Sequence, residues 1–339
     1  MTHRRTLFLR RLLFVPLAAF VVVTFSFGLI NLTPGDPAVL IGGDFASEER
    51  LTQIRTELGL DRPIHERYGS YIADLVIHQD LGTSFFTKLP VWDEIAQRLP
   101  DTVELIVMGL AVALAYGSLL GVASAYSRFR WLDRLSRLSV TVTQSTPDFL
   151  LGIVLIYVVF YLLGWAPAPL GRLGMLEQAP SQVTGFLLVD TVIAGDWRLF
   201  CSALHHSMLP VLTLGLFYSS HFAKTMRAVL VRSLESDQVE FARACGLPEW
   251  RVIGYAFRDV RTPVITYVGV LFAALFGGAA IVETIFAWGG LGQWAIEVIL
   301  KLDIPAIQGF ILVVGLLTLI VYFLLDIIVL MLDPRVKYE

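Results

Sequence analysis

The sequence predicts an all-α polytopic membrane protein with six transmembrane helices and with both termini in the cytoplasm. Three observations lead to this fold class: long apolar runs, a low content of charged residues, and a sorting of basic residues to alternate connections. Of the 339 residues, 56% are hydrophobic and only 16% are charged, whereas about a quarter of the residues in soluble domains are charged. The two cysteines are too few for a disulfide framework.

Six apolar segments are long enough, as helices, to cross about 30 Å of hydrocarbon. They are residues 12–32, 105–126, 138–163, 208–230, 263–287 and 305–332. Lipid offers the backbone no hydrogen-bond partner, so each span must be helical. The first run, behind a basic head, also resembles a cleaved signal peptide, but it is longer than a signal core and lacks a cleavage motif. The shorter stretch 183–195 contains Asp190 and is expected at the interface.

Basic residues set the expected orientation. Most of the 26 Lys and Arg residues fall at the two termini and after spans two and four, and short loops rich in Lys and Arg stay cytoplasmic. The chain then divides into an N-terminal segment with the first span (1–32), a periplasmic segment with interfacial helices (33–101), and a core with the other spans (102–339). A polar connection within the core, 233–262, faces the cytoplasm.

This polar connection carries a short helix. Ser236 suits the N-cap position, and Gly246 suits a left-handed residue after the C-terminus. Between them a helix of about two turns carries Glu240, Phe241 and Ala242. A short, stiff helix on a loop between two spans is suited to dock onto a partner protein.

Three further helices are expected outside the spans. Residues 47–58 and 63–76 have helical patterns, and the first begins with Ser47 as its cap. Another helix starts at Pro248 and ends at Pro263, where the fifth span begins.

The short helix also carries a resemblance. Glu240-Phe241-Ala242, followed by Gly246 and Leu247, resembles the E-A-A-x-x-x-G loop of ABC importer membrane subunits, with Phe241 in place of the commoner small residue. The wider string ARACGL…RVIGYAFRDVRTPVIT is similar to the dipeptide, oligopeptide and nickel permease branch. The resemblance implies an ABC type I importer permease fold in a bacterial inner membrane. It also implies that these five residues couple the chain to an ATPase subunit.

By the same resemblance, the partners are a second permease subunit, two ATP-binding cassette subunits, a periplasmic solute-binding protein and the lipid bilayer, with no nucleic acid. The chain itself is not expected to be an enzyme or to bind a cofactor, because ATP and Mg would bind at the partner ATPases. Di- or oligopeptides are the expected cargo, with nickel, glutathione, opines or oligosaccharides as alternatives. An ion-coupled secondary transporter would show several intramembrane charges, and an intramembrane enzyme would need two reactive groups at one depth. The sequence favours neither pattern, since Asp148 is nearly alone within the spans, and these two classes stay as the less favoured alternatives.

Asp148 is the most informative polar residue within a predicted span. It lies about 15 Å into the third span at 1.5 Å per residue, where a lone carboxylate is costly unless it faces protein or water. Thr146 as a cap, Pro147 at the first helical position and Asp148 in the first turn also suit a helix restarted inside the membrane. Broken spans often line transport paths. We therefore expect Pro147 and Asp148 on the translocation path, with Asp148 favouring cationic groups such as a peptide amine; the alternative is a structural helix start.

Another motif ends the fifth span. The string ETIFAWGGLG, with Glu283, Phe286, Trp288 and Gly292, resembles the E-T-I-F-x-W-P-G-L-G motif of the same family. The resemblance implies that these residues form the outer gate and contact the binding protein. An ordinary interfacial turn is the alternative.

One histidine pair, His205-His206, precedes the fourth span. Adjacent histidines can ligate a transition metal, but the sequence places no further ligand beside them. We expect no metal site and treat the pair as interfacial polar residues.

Overall fold

The computed structural model describes residues 15–28, 37–42, 46–57, 59–126 and 130–332. These residues form helices joined by loops, with one isolated antiparallel bridge between Thr83 and Pro90. The all-α prediction is therefore confirmed for the described part of the chain. In chain order the helices are α1 (Val15–Gly28), α2 (Pro37–Gly42), α3 (Glu48–Glu57), α4 (Ile64–Ala73), α5 (Val91–Tyr126), α6 (Arg130–Ser145), α7 (Asp148–Leu155), α8 (Leu187–Ile193), α9 (Trp197–Leu234), α10 (Asp237–Ala244), α11 (Glu249–Ile285), α12 (Leu291–Leu300) and α13 (Ile304–Leu332). Single π-helical segments, Asp74–His78 and Ile156–Leu162, extend α4 and α7.

Several of these helices are apolar enough to span a membrane. Within the described ranges, α5, α9, α11 and α13 meet the criteria of length and composition. The pair Asp133–Ser145 and Asp148–Leu162 counts as a fifth if its 105° bend lies within one span. Helix α1 is the described part of the first predicted span and is shorter. A protein with several membrane spans is thus supported, while the count of six and the orientation of the termini stay predictions.

Three of the long helices begin before their apolar runs and contain a proline. Pro100, Pro210 and Pro263 lie inside α5, α9 and α11. The prediction that a separate helix ends at Pro263 was therefore wrong. A proline in the interior of a helix destabilises the helix by about 3 kcal/mol. The turns before Pro263 bury Val252 and Ala256 completely, and burial of an apolar side chain the size of Val252 returns about 1.5–3 kcal/mol.

The polar helices near the N-terminus were predicted closely. Helices α3 and α4 match the expected helices, and the Ser47 hydroxyl accepts a hydrogen bond from the Arg50 N–H at 3.3 Å. Gly59, after α3, has a left-handed φ of +64°. The expected interfacial stretch 183–195 is helical only over α8.

Contacts divide the described residues into two compact units. The first, here called the core unit, comprises residues 100–293 and 320–332, and the second, here called the N-terminal unit, comprises residues 15–99 and 294–319.

Helix α9 is the centre of the core unit. It packs against α6, α7, α8 and α11, and α5 approaches it through glycines. A Cβ on Gly121 would lie 2.8 Å from the Met226 side chain, and a Cβ on Gly117 would lie 2.7 Å from the Ser219 carbonyl oxygen. Only hydrogen atoms fit at these two crossings, so the glycines set the distance between α5 and α9.

The N-terminal unit is joined by contacts between residues distant in sequence. The Ser84 hydroxyl donates to the Asp303 carboxylate at 2.5 Å, and both side chains are buried. Gly315 on α13 faces Val22 on α1, where a Cβ would lie 2.7 Å from the valine side chain. Helices α1 and α13 therefore touch within this unit.

Replacing Gly117 with alanine should test the close crossing of α5 and α9. The added methyl group would meet a backbone carbonyl, so we expect the free energy of unfolding to fall by about 1–3 kcal/mol, as for an overpacked core. Thermal unfolding in detergent measures this loss. Gly254→Ala on α11 is the control, because nothing lies within 4 Å of that Cβ position. If Gly117→Ala proves as stable as the control, the crossing is looser than described.

Candidate functional sites

The short helix α10, here called the knob helix, connects the ends of α9 and α11. Its C-terminus is closed by the predicted glycine: Gly246 has φ +72° and donates its N–H to the Arg243 carbonyl at 2.9 Å. The Leu247 N–H donates to the Ala242 carbonyl at 3.2 Å. These two bonds form a Schellman motif, which stops a helix abruptly at a left-handed residue.

The start of the knob helix differs from the prediction in one detail. Ser236 occupies the N-cap position with an extended backbone, but its side chain caps no N–H of α10. Its hydroxyl donates instead to the Ser233 carbonyl at 2.7 Å. Ser236 therefore starts the helix through its backbone, while its side chain bonds to the end of α9.

The knob helix has a buried face and an exposed face. Val239 and Ala242 are buried, whereas Glu240 is exposed and Phe241 is 71% exposed. Gly246 is exposed, and Leu247 is half-buried. Of the five residues expected to contact a partner, Ala242 turns inward and holds the helix in place. The exposed face therefore presents one acidic and one aromatic side chain, Glu240 and Phe241.

Two side-chain bonds attach this region to α11. The Ser233 hydroxyl, which is buried, donates to the Ala256 carbonyl at 3.0 Å, and Arg243 Nε donates to Glu249 Oε1 at 3.3 Å. A displacement of the knob helix would therefore act on α9 and α11 together.

The third predicted span is broken where the sequence suggested. Helix α7 begins at Asp148, and the Pro147 carbonyl accepts the Leu151 N–H at 3.1 Å. The prediction that Thr146 caps α7 was wrong, because its hydroxyl donates back to the Val142 carbonyl at 2.9 Å. Threonine at a helix end often forms this bond to its own helix. Pro147 is accordingly the residue before α7, rather than its first helical residue.

Asp148 lies beside two candidate spans, α9 and α11. It is half-buried, and its Oδ1 accepts the Phe149 N–H at 2.8 Å. Its Oδ2 lies 3.2 Å, and the Tyr218 Oη 2.7 Å, from the position that a Cβ on Gly278 would occupy. The Tyr218 hydroxyl donates to the Ala274 carbonyl at 2.7 Å. Sequence reasoning found Asp148 but missed Tyr218 and Gly278, since nothing local in the sequence links α7 with α9 and α11.

Near the C-terminal end of α11, the side chain of Glu283 is fully buried. Its Oε1 accepts the Thr102 hydroxyl at 2.5 Å, and its Oε2 accepts the Gln293 N–H at 2.8 Å. The Thr102 oxygen in turn accepts the Leu291 N–H at 2.7 Å. One carboxylate thus joins α5, the end of α11 and the start of α12.

The turn after α11 is packed without space for side chains at two glycines. A Cβ on Gly290 would lie 2.6 Å from Glu283 Oε1, and a Cβ on Gly292 would lie 2.6 Å from the α11 backbone. Phe286 and Trp288 are each only 2% exposed. All four residues expected at an outer gate are therefore buried. Any contribution they make to docking acts through the shape of the turn, and the docking itself stays a prediction.

An arginine that the sequence analysis did not single out lies beneath this turn. Arg172 contacts the carboxylates of Asp101 and Glu104, and its guanidinium lies 5.2 Å from the centroid of the Trp288 ring. The Trp288 Nε1 donates to the Asp101 carbonyl at 3.0 Å. Arg172 thereby ties the loop after α7 to α5 and to the turn.

Asp190 organises the start of α8. Its carboxylate accepts backbone N–H bonds from Val183, Thr184 and Gly185. Burial alone would raise the pKa of Asp190, but these bonds and the Thr184 hydroxyl together hold the pKa below its usual value. A lowered pKa means that the stabilising effect is present at neutral pH and is lost as pH falls through that value.

The two adjacent histidines bond to backbone oxygens. His205 Nε2 lies 2.9 Å from the Trp165 carbonyl, and His206 Nδ1 lies 2.9 Å from the Ser202 carbonyl. Among the described residues, no group of three or more His, Cys, Asp or Glu side chains could hold a metal ion.

In the described part of the chain, several apolar helices long enough to span a membrane, a knob helix on a polar connection and a carboxylate at a bend between two helices are the features of a helical membrane protein. The family model described as "Binding-protein-dependent transport system inner membrane component" matches residues 117–338, and the model of its N-terminal part matches residues 5–106. The chain belongs to this family of inner membrane permease components.

Similar proteins agree with this assignment over nearly the whole chain. A probable D,D-dipeptide transport system permease protein of Escherichia coli K12 is 39% identical over 93% of this chain and 92% of its own length. A dipeptide transport system permease protein of the same strain is 34% identical over 98% of this chain and 99% of its own. A putative peptide transport system permease protein of Brucella abortus 2308 is 34% identical, covering 94% and 95%.

The buried carboxylate allows a direct test of the turn. Glu283→Gln replaces one acceptor oxygen with an NH₂ donor, which must face either the Thr102 hydroxyl or the Gln293 N–H. We expect the free energy of unfolding to fall by about 1–3 kcal/mol, the cost of an unsatisfied buried polar group. Thermal unfolding in detergent provides the measurement, with Glu240→Gln on the exposed face of the knob helix as the control. Equal stability of the two variants would contradict the bonding described for Glu283.

Proposed function

We propose that the chain is one of two permease subunits of an ATP-driven importer that carries di- and oligopeptides across a bacterial inner membrane. Its family and the peptide permeases to which it is similar support the transport class and the cargo class. One structural observation supports the coupling role above all. It is a short helix, closed at Gly246, that buries Val239 and Ala242 while exposing Glu240 and Phe241.

In this proposal the partners supply the energy. Two ATP-binding cassette subunits bind ATP and Mg, and a periplasmic binding protein delivers the peptide. The exposed side chains of Glu240 and Phe241 enter a cleft on one ATPase subunit, with Gly246 and Leu247 at its edge. When the ATPases close, the knob helix is carried with them and displaces α9 and α11. ATP and loaded receptor favour the outward-open state, so they shift a pre-existing equilibrium.

The proposal also includes a topology. Six spans place both termini and the 233–262 connection in the cytoplasm. Residues 1–32 hold the first span, 33–101 form a periplasmic segment, and 102–339 form the permease core. In this topology the turn after α11 faces the periplasm and shapes the surface that meets the binding protein.

The exposed phenylalanine provides the test of coupling. Phe241→Ala should lower co-purification of the ATPase subunits and lower ATP-dependent peptide uptake by about tenfold, because a buried aromatic anchor is worth about 1.4 kcal/mol or more at an interface. Pull-down with the ATPase subunits and uptake in vesicles are the two measurements.

The matched control is Trp165→Ala, which removes an aromatic side chain that is 67% exposed and lies outside the 233–262 connection. It should leave ATPase co-purification unchanged. Full coupling in the Phe241→Ala complex, or an equal loss in the control, would contradict the proposed role of the knob helix.

The two cysteines of the chain test the topology without added labels. Cys245 follows the knob helix and Cys201 lies near the start of α9, and both are exposed. In intact spheroplasts a membrane-impermeant maleimide should label Cys201 in the Cys245→Ser variant. In the Cys201→Ser variant it should label Cys245 only after permeabilisation. The reverse pattern would invert the proposed orientation.

A further inference from the structure

We propose that Asp148 and Tyr218, whose hydroxyl is held by the carbonyl of Ala274, form a site in the transport path that binds the ammonium group of a peptide. The inference rests on the proposed function and adds to it a residue-level basis for cargo selection. Asp148 lies at the start of α7, while Tyr218 and Ala274 lie in the candidate spans α9 and α11.

The polar atoms that the site offers to a ligand are hydrogen-bond acceptors. The Tyr218 hydroxyl has its hydrogen committed to the Ala274 carbonyl at 2.7 Å, so the phenol oxygen offers only lone pairs to a further group. Asp148 Oδ1 accepts the neighbouring Phe149 N–H, which leaves Oδ2 for another donor. A carboxylate and a phenol oxygen that both accept match an ammonium group, which has three donors and no acceptor.

Gly278 makes the room for these two oxygens. The Tyr218 Oη and the Asp148 Oδ2 lie 2.7 Å and 3.2 Å from the point where a Cβ on Gly278 would be. The two oxygens therefore converge on one patch of the α11 surface. Gly277, the adjacent residue, has nothing within 4 Å of its own Cβ position. The site thus occupies one side of α11 and leaves the neighbouring side open.

The charge of Asp148 is not neutralised within the described chain. None of the described Lys, Arg or His side chains forms an ion pair with Asp148. The ring of His221, one turn after Tyr218, is tilted against the Tyr218 ring with the two centroids 6.3 Å apart, and among the described residues His221 forms no ion pair with a carboxylate. An unpaired carboxylate at membrane depth costs a few kcal/mol unless it meets water or a cation. A half-buried position lets it meet a cation that passes through.

The charge and the polarity of the site select the occupant. A peptide at neutral pH carries one ammonium group, and its carboxylate end would be repelled by Asp148. The relatives over this length are permeases named for dipeptides and peptides. The other source of a cation would be a Lys or Arg of the second permease, and the experiment distinguishes the two.

The test uses the complete importer, reconstituted in vesicles with its partner subunits and binding protein. Uptake of a free-amine dipeptide and of its N-acetylated form is measured at saturating loaded receptor, together with receptor-stimulated ATP hydrolysis. For Asp148→Asn we expect free-amine uptake to fall about tenfold, equivalent to about 1.4 kcal/mol, while ATP hydrolysis changes less than about twofold. The ratio of free-amine to N-acetylated uptake should fall with it. Because both complexes use the same receptor, the preference of the receptor cancels.

Gly278→Ala fills the site without removing an acceptor and should reproduce the effect of Asp148→Asn. Gly277→Ala is its matched control and should leave both the uptake and the ratio unchanged. Asp148→Glu keeps the charge and should retain more of the preference for the free amine than Asp148→Asn does.

Three results would overturn the inference. Unchanged free-amine uptake in Asp148→Asn would show that Asp148 binds no ammonium group. An equal loss of uptake for both peptide forms would assign Asp148 a structural role. Reduced recovery of the second permease with Asp148→Asn would assign the missing cation to that subunit. A wild-type complex that takes up no peptide, in either form, would instead refute the proposed function itself.

Discussion

The scarcity of hydrogen-bond partners in hydrocarbon is the constraint on which the rest of the structure depends. Backbone groups meet it by forming helices, and several buried hydroxyl groups on α9 meet it by bonding back to their own helix. Ser207 and Thr213 on α9 donate to the carbonyls of Ala203 and Leu209 at 2.7 and 2.8 Å. Glu283 meets it with a hydroxyl and a backbone N–H. Asp148 meets it only in part, because among the described residues one bond, from the Phe149 N–H, reaches its carboxylate.

The features that were predicted from sequence are those encoded locally. An apolar run identifies a helix in lipid whatever it packs against, and the apolar parts of α9, α11 and α13 follow from this alone. The knob helix follows from a residue suited to an N-cap and from Gly246, whose left-handed backbone needs no distant contact. The break before Asp148 follows from Pro147, which lacks an N–H and restricts the residue before it. In each case the deciding physical term lies within a few residues.

The features that were missed or misjudged depend on contacts between distant segments. Pro263 has the local chemistry of a helix end, but packing of the turns before it keeps α11 continuous. Arg172 looks like an ordinary loop residue until the fold brings Asp101 and Glu104 to it. Gly278 is one of several glycines in an apolar run. Its role becomes visible only in the fold, where the side chains of Tyr218 and Asp148 lie against it. The periodicity of the sequence cannot predict such contacts between distant residues.

The continuity of α11 gives the three sites a common mechanical element. At 1.5 Å per residue its 37 residues extend about 55 Å, from Glu249 beside the knob helix, past Gly278 beside Asp148, to Glu283 beneath the turn. A helix break at Pro263 would have isolated the knob helix from the other two sites. Because α11 is unbroken, a force on the knob helix reaches the α11 surface that faces Asp148 without crossing a loop. The Tyr218 hydroxyl on α9 donates to the Ala274 carbonyl on α11, so relative motion of these two helices would change the geometry that the proposed ammonium group meets. In the proposed function, binding of the cargo and movement of the ATPase subunits would act on the same pair of helices, which is the condition for one to influence the other.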